Sequence, residues 1–160
     1  MRYLTLHLLA ILAFLFAVGV FAQNSPQIFQ SGGVFYRDKA QTIPYTGEYR
    51  EFFDNGTLRL EMRIANGMPE GTYVVYFENS RPQEIRAYRA GRPHGLWRTY
   101  DIDGQLISEA EYNQGAKHGT WRIWDEHGTQ RYEMNYLNGA RTGIWRLWDE
   151  AGNLIDERNY

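Results

Sequence analysis

Three rows of charged residues recur along this chain at a constant spacing of 24 positions. Asp101, Asp125 and Asp149 form one row, Glu109, Glu133 and Glu157 a second, and Arg98, Arg122 and Arg146 a third. Paired carboxylates can perform acid–base hydrolysis, but a catalytic pair needs two unlike environments so that one member stays protonated. Here every unit offers the same residue in the same setting. Aspartate heading a type I turn accounts for the first row. The arginines can neutralise the glutamates across strands, each exposed pair contributing about 0–1 kcal/mol.

Metal chemistry fares no better. Of four histidines, His7 lies in the apolar start of the chain, while His94 and His118 share one position of the repeat, where other units carry Glu70 and Thr142. Equivalent residues two strands apart sit roughly 9–10 Å from each other, too far to share an ion, so these read as exposed turn histidines. The chain has no cysteine, which excludes disulfides, thiol chemistry and thiolate sites together. No nucleophile elbow, phosphate-cradling loop or histidine-bearing metal motif is present. The expectation is no catalytic residue, no metal and no cofactor: not an enzyme.

The rings offer more. Aromatic residues make up 16% of the sequence, and all five tryptophans follow residue 96. Tyr100, Trp124 and Trp148, interleaved with Arg98, Arg122 and Arg146, are the candidate interaction surface. Arginine-flanked rings suit a protein or peptide partner; bare stacked rings suit a glycan or lipid. The net charge of −2 is too mild to suggest nucleic acid.

Positioning these side chains is the work of a repeat. Gly47, Gly71, Gly95, Gly119 and Gly143 mark one row, Gly56, Ser80, Gly104, Gly128 and Gly152 a second, and Gly67, Gly91, Gly115 and Gly139 a third. Tyr49, Tyr73, Trp97, Trp121 and Trp145 keep the same stride, as do Ile64, Tyr88, Tyr112, Tyr136 and Tyr160. Within a unit, Gly95–Tyr100 reads as a short aromatic strand, Asp101–Gly104 as a turn, and Gln105–Tyr112 as the returning strand. A turn every few residues leaves no room for a stable helix. The fold class is therefore all-β: a single-layer antiparallel meander of about five β-hairpin units.

Trp97 and Tyr100 are three apart and would point to opposite faces of a flat strand. A bulge could re-aim one of them; rings on both faces is the preferred reading, because a single layer has no second layer to hide one. A linking turn centred just after Gly115-Ala116 would set Tyr112 opposite Trp121, Tyr88 opposite Trp97 and Tyr136 opposite Trp145. Such pairs contribute about 0.5–1.5 kcal/mol each beyond buried area, so a ladder of them could replace a globular core.

The residues Gly95, Trp97, Tyr100, Gly104, Glu109, Tyr112 and Gly115, with their equivalents in neighbouring units, resemble the MORN repeat variant of bacterial proteins often labelled YwqK-type antitoxins. Pro44-Tyr45-Thr46-Gly47 resembles the usual entry into such arrays. The resemblance covers residues 45–160. It implies β-hairpin scaffolds that bind protein or lipid, and the antitoxin label implies capture of a toxin. The chain departs from the pattern at Val74, Ser80 and Ile85 in its second unit, and at Ile64 and a looser turn, Asp54-Asn55-Gly56, in its first.

Around the repeats, residues 1–22 read as a secretory signal peptide cleaved after Ala22; the alternative is an uncleaved anchor over Leu4–Ala22. No cysteine follows, so a lipoprotein is not expected. The protein is expected to be exported: periplasmic, at the cell surface or secreted. Residues 23–46 comprise a polar leader of little structure (23–33) and a capping hairpin built from Val34–Arg37, a turn at Asp38-Lys39, and Thr42–Tyr45. The units are 47–70, 71–94, 95–118, 119–142 and 143–160, the last strand leaving a free edge.

Overall fold

A computed structural model describes residues 26–160; the expected signal peptide and its cleavage point lie outside the described residues. Those residues are all-β, with no helix among them. Two short strands, β1 (Phe29–Ser31) and β2 (Val34–Tyr36), form an arm. The repeats follow as β3 (Gly47–Phe52), β4 (Leu58–Ala65), β5 (Met68–Tyr76), β6 (Pro82–Arg89), β7 (Arg92–Pro93), β8 (Gly95–Tyr100), β9 (Leu106–Asn113), β10 (Ala116–Trp124), β11 (Gln130–Leu137), β12 (Ala140–Arg141), β13 (Ile144–Trp148) and β14 (Leu154–Asn159). They make one antiparallel meander ordered β14-β13-β11-β10-β9-β8-β6-β5-β4-β3, with β12 on β11 and β7 on β6 as short extensions. Apart from the two-residue β7 and β12, every pairing in this path joins neighbours in sequence, as short hairpin links demand.

Two kinds of turn alternate. At one end of the sheet, two-residue loops such as Gln114-Gly115 hold both residues at positive φ, 51° and 89°, the geometry whose twist matches that of hairpin strands. Each tip is also tied sideways: the N–H groups of Gly67, Gly91, Gly115 and Gly139 donate to the carbonyls of Tyr45, Pro69, Pro93 and Lys117. At the other end, the expected type I turns close with Gly104, Gly128 and Gly152 N–H groups donating to the carbonyls of Asp101, Asp125 and Asp149. The Asp101 carboxylate accepts from the Asp103 and Gln105 N–H groups. The turn of the first unit, expected to be looser, has the same closure, Gly56 N–H to Phe53 carbonyl at 2.8 Å. Phe53, like Phe77 in the second unit, stands where units three to five have aspartate, and Asn55 supplies the side-chain acceptor to Thr57 instead.

The linking turn is not where the sequence reading put it. Gln114-Gly115 closes the hairpin, so Tyr112 faces Lys117 rather than Trp121. The register then slips: His118 pairs with Glu111 and Arg122 with Glu109, leaving three residues opposite Ala110. Gly119, at φ 60°, makes that bulge. Further register shifts fall before Phe52, Tyr76, Tyr100, Trp124 and Trp148. Bulges and rings on both faces therefore coexist; they are not alternatives.

The expected ring contacts form all the same, on the diagonal. One unbroken ladder runs Tyr73, Tyr88, Trp97, Tyr112, Trp121, Tyr136, Trp145, Tyr160, with centroids 4.7–5.9 Å apart. The indole N–H groups of Trp97, Trp121 and Trp145 donate to the carbonyls of Ala87, Glu111 and Asn135, each at 2.9 Å; at Ala87 and Asn135 the indole is a second donor beside the His94 and Thr142 N–H groups.

Among the described residues, a sealed core is found only around the first repeat, where Tyr45, Leu60, Met62 and Ile64 are buried. The arm closes it: Ile28 and Phe35 pack against this cluster together with Tyr49, Tyr73 and Val75. The segment 23–33 is thus not simply a leader, since Phe29–Ser31 is a strand. Gly32-Gly33, both at positive φ, turn it into β2 and permit the hairpin. Beyond β2, Tyr36 bridges Pro44 and Asp38 caps Thr42 and Ile43.

Candidate functional site

The sheet has two faces of different character. Residues two apart on a strand share a face, so Arg98 and Tyr100 on β8, Arg122 and Trp124 on β10, and Arg146 and Trp148 on β13 all lie on one side. The structure thus gathers the six sequence-predicted surface residues into a band across repeats three to five, each half-buried. Trp97, Trp121 and Trp145 lie on the opposite side in the ring ladder.

The band is organised electrostatically. Arg98 binds Glu109 at 2.8 Å; Arg122 reaches Glu109 at 3.7 Å and Glu133 at 3.1 Å; Arg146 reaches Glu133 and Glu157, both at 3.0 Å. Cations and carboxylates alternate in a zigzag along the array. Glu109 and Glu133 are only 18% exposed, so these pairs are better shielded than the exposed pairs the sequence suggested. The Glu157 hydrogen bond, followed by that of Glu133, raises the pKa of Arg146. The zigzag locks the guanidinium groups and leaves Tyr100, Trp124 and Trp148 as a row with spacing of roughly 9–10 Å between units. Where the second unit lacks the pair, Val74 sits directly opposite Ile85; an apolar pair replaces an ionic one.

Phenols on both faces are tuned. Burial, with a hydrogen bond to Glu51, pushes Tyr49 up to about 12. Burial, with a hydrogen bond to Glu61, does the same for Tyr76, up to about 12. Burial also raises Tyr73 and Tyr112. None stands beside a nucleophile or a histidine base, so these shifts belong to packing.

Cations cap the ring ladder: Arg86 over Tyr73 and Trp97, Lys117 over Trp121 and Tyr136, Arg141 over Trp145 and Tyr160, at 4.3–5.4 Å. His94 and His118 are not exposed turn residues. Both are half-buried; His94 Nδ1 accepts from the Gln114 N–H at 3.4 Å, and His118 pairs with Glu111 in the sheet. No group of three or more metal-ligating side chains is found among the described residues.

Sequence reasoning missed three shallow grooves on the ladder face. Ile28, Phe35, Tyr49, Leu60, Met62 and Tyr73 are among those lining the first, where the arm lies. Glu84, Arg86, Trp97, Thr99 and Ala110 help line a second, of about 280 Å³. Tyr132, Met134, Trp145, Leu147 and Arg158 help line a third, of about 330 Å³. The signal is present in the stride, because equivalent positions of different repeats line them; of the arm that walls the first, β1 falls in the segment expected to be a leader and β2, with Phe35, in the expected capping hairpin.

Residues 45–66, 93–114, 117–138 and 141–160 match the MORN repeat variant family. The unmatched interval contains the second unit, with its Val74, Ser80 and Ile85 departures. No curated protein matches the chain. Among solved structures, a mutant of S. aureus TarM in complex with fondaparinux, alpha-GlcNAc-glycerol and UDP is similar at 14% identity and a TM-score of 0.37. That likeness covers 75% of this chain and 21% of that one, and carries no inference about fold or ligand.

Proposed function

Because the chain belongs to the MORN repeat variant family, we propose that it is an exported, non-catalytic scaffold that binds a protein partner. Capture of a toxin-like protein is the most specific form of this reading. The observation that carries it is the band formed by Arg98, Tyr100, Arg122, Trp124, Arg146 and Trp148. Rings at fixed intervals beside guanidinium groups already held by Glu109, Glu133 and Glu157 offer preorganised anchors, which lowers the entropic cost of association. Glu109 and Glu133 share one setting, each 18% exposed and held between two arginines, which supports a non-catalytic role, since neither is set apart as acid or base.

An envelope-associated module binding glycan or lipid through the ladder is the second reading. Cations and neighbouring rings already occupy the faces of Trp97, Trp121 and Trp145, which weighs against sugar stacking there. The test is affinity capture with the mature chain from the envelope fraction of its source cells, beside polysaccharide and vesicle retention. The proposal expects one protein retained by the wild type and lost with Trp124→Ala and Trp148→Ala. Retention on polysaccharide or vesicles alone, unaffected by either substitution, overturns it.

A further inference from the structure

The arm shows what the ladder face accepts. Ile28 and Phe35 pack against the buried cluster that includes Leu60 and Met62, as Tyr73 and Val75 also do. Three repeats further on, the equivalent positions are Tyr132, Met134, Trp145 and Leu147. All four line the third groove, together with Tyr160 and the ion pair of Asp156 and Arg158. The quartet does not recur in between: one repeat on it is Glu84, Arg86, Trp97 and Thr99, and two repeats on it is Ser108, Ala110, Trp121 and Ile123. Apolar character is lost and then regained at the register three units along. The difference between the two apolar sites is cover. Leu60 is 8% exposed beneath the arm, whereas Tyr132 at the same position is 42% exposed.

We infer that the groove of Tyr132, Met134, Trp145 and Leu147 is a docking site for an extended arm of a partner polypeptide. That arm presents an aliphatic and an aromatic side chain on one face of a strand or hairpin, as Ile28 and Phe35 do in β1 and β2. The chemistry of the occupant follows from continuity with the interface the molecule already makes at the equivalent site. The rim agrees: Asp156 with Arg158 at 2.9 Å stands at one site, and Glu51 with Arg59 at 3.7 Å beside the other, each a carboxylate–guanidinium pair flanking an apolar floor. The chain's own arm does not reach across. It is tied in place by the Phe35 N–H on the Gly67 carbonyl at 2.9 Å and the Tyr45 N–H on the Phe35 carbonyl at 2.8 Å. This site lies on the face opposite Arg122 and Trp124. It depends on the scaffold reading only in that its ligand is a polypeptide, and it is tested without the partner of that reading.

The experiment titrates a synthetic peptide of residues 26–45 into the full mature chain, following tryptophan fluorescence and binding heat. Saturable binding is expected. Ile28→Ala with Phe35→Ala in the peptide, which leaves the protein untouched, weakens it about tenfold or more, and so does Leu147→Glu in the protein. Thr99→Glu, at the equivalent position two repeats earlier, leaves it unchanged. Absence of saturable binding, or equal binding by the alanine peptide, overturns the inference. Concentration-dependent dimerisation abolished by Leu147→Glu would assign the groove to a second copy, and an oligosaccharide competing for it would assign it to a glycan; either result also overturns it. Loss of the envelope partner with Trp124→Ala while the peptide still binds separates the two proposals.

Discussion

Replacing Trp121 by alanine tests the idea that rings substitute for a core. Trp121 contacts Tyr112 at 5.1 Å and Tyr136 at 5.3 Å, and such contacts are worth about 0.5–1.5 kcal/mol each. Its indole N–H donates to the Glu111 carbonyl at 2.9 Å, a bond worth about 1 kcal/mol net. Lys117 Nζ lies 4.3 Å from its ring, adding about 0.5–1 kcal/mol. Together these terms make Trp121→Ala destabilising by about 3–4 kcal/mol. Trp121→Phe, which keeps a ring in the ladder and loses the N–H donor, costs about 1–2 kcal/mol. The assay is urea unfolding of the mature chain followed by far-ultraviolet circular dichroism, reading a shifted midpoint at constant slope. Ile123, two residues along and 38% exposed, is the control, and its alanine variant should lie within about 0.5 kcal/mol of wild type. If Trp121→Ala costs no more than Ile123→Ala, the reasoning fails.

Further outcomes follow from the same geometry. Val74→Arg lands opposite Glu61 and Ile85→Glu opposite Arg98, so each single variant gains one ionic partner, and the double variant should exceed the sum of the two by about 0.5–1 kcal/mol as the zigzag closes through the second unit; a double-mutant cycle in urea reads the coupling. Ala90 and Ser80 sit at φ 48° and 64°, where a side chain costs about 1–2 kcal/mol relative to glycine. Ala90→Asn and Ser80→Gly should therefore each raise stability by about 1 kcal/mol in thermal or urea unfolding. At high pH the phenols of Tyr49 and Tyr76, raised to about 12, favour the folded state while protonated. That contribution is complete below the unfolded pKa of about 10 and is lost as pH rises through about 12; tyrosinate absorbance against pH should show late-titrating phenols that normalise on unfolding, fewer by one in Tyr49→Phe and in Tyr76→Phe. The hydrogen bonds from Asn153, side chain first, hold Asp149 below its ordinary value. The stability it contributes is thus present above the unfolded pKa and lost as pH falls through the folded one, a dependence that Asp149→Asn removes.

Much of this architecture was legible because the stride is constant. Glycine rows placed the turns, and aspartate with glycine at the fourth position named their type. Register was less accessible. The bulge at Gly119 costs no residues in the repeat count, so every glycine keeps its spacing whether or not the strand slips, and Tyr112 was set opposite Trp121 when its ring meets that indole diagonally. The second strand of the N-terminal arm lies within the expected capping hairpin, but the first is hidden because Gln-Ser-Gly-Gly looks like linker composition, although Gly32-Gly33 is also a good two-residue hairpin turn. The six-residue band could be placed on one face by alternation alone. The shielding of its ion pairs could not, since burial in a single layer depends on long side chains lying over one another. The covered and uncovered sites could be compared only once Ile28 and Phe35 were seen to pack against the first.

The most direct test removes one unit. Deleting residues 95–118 joins His94 to Gly119 and restores the lattice with one fewer hairpin, whereas deleting 95–117 puts every later strand out of step with its neighbour. The account predicts that the first variant keeps the strand signature and a cooperative urea transition, as a stacked array should, and that the second loses both. Equal behaviour of the two variants would contradict it.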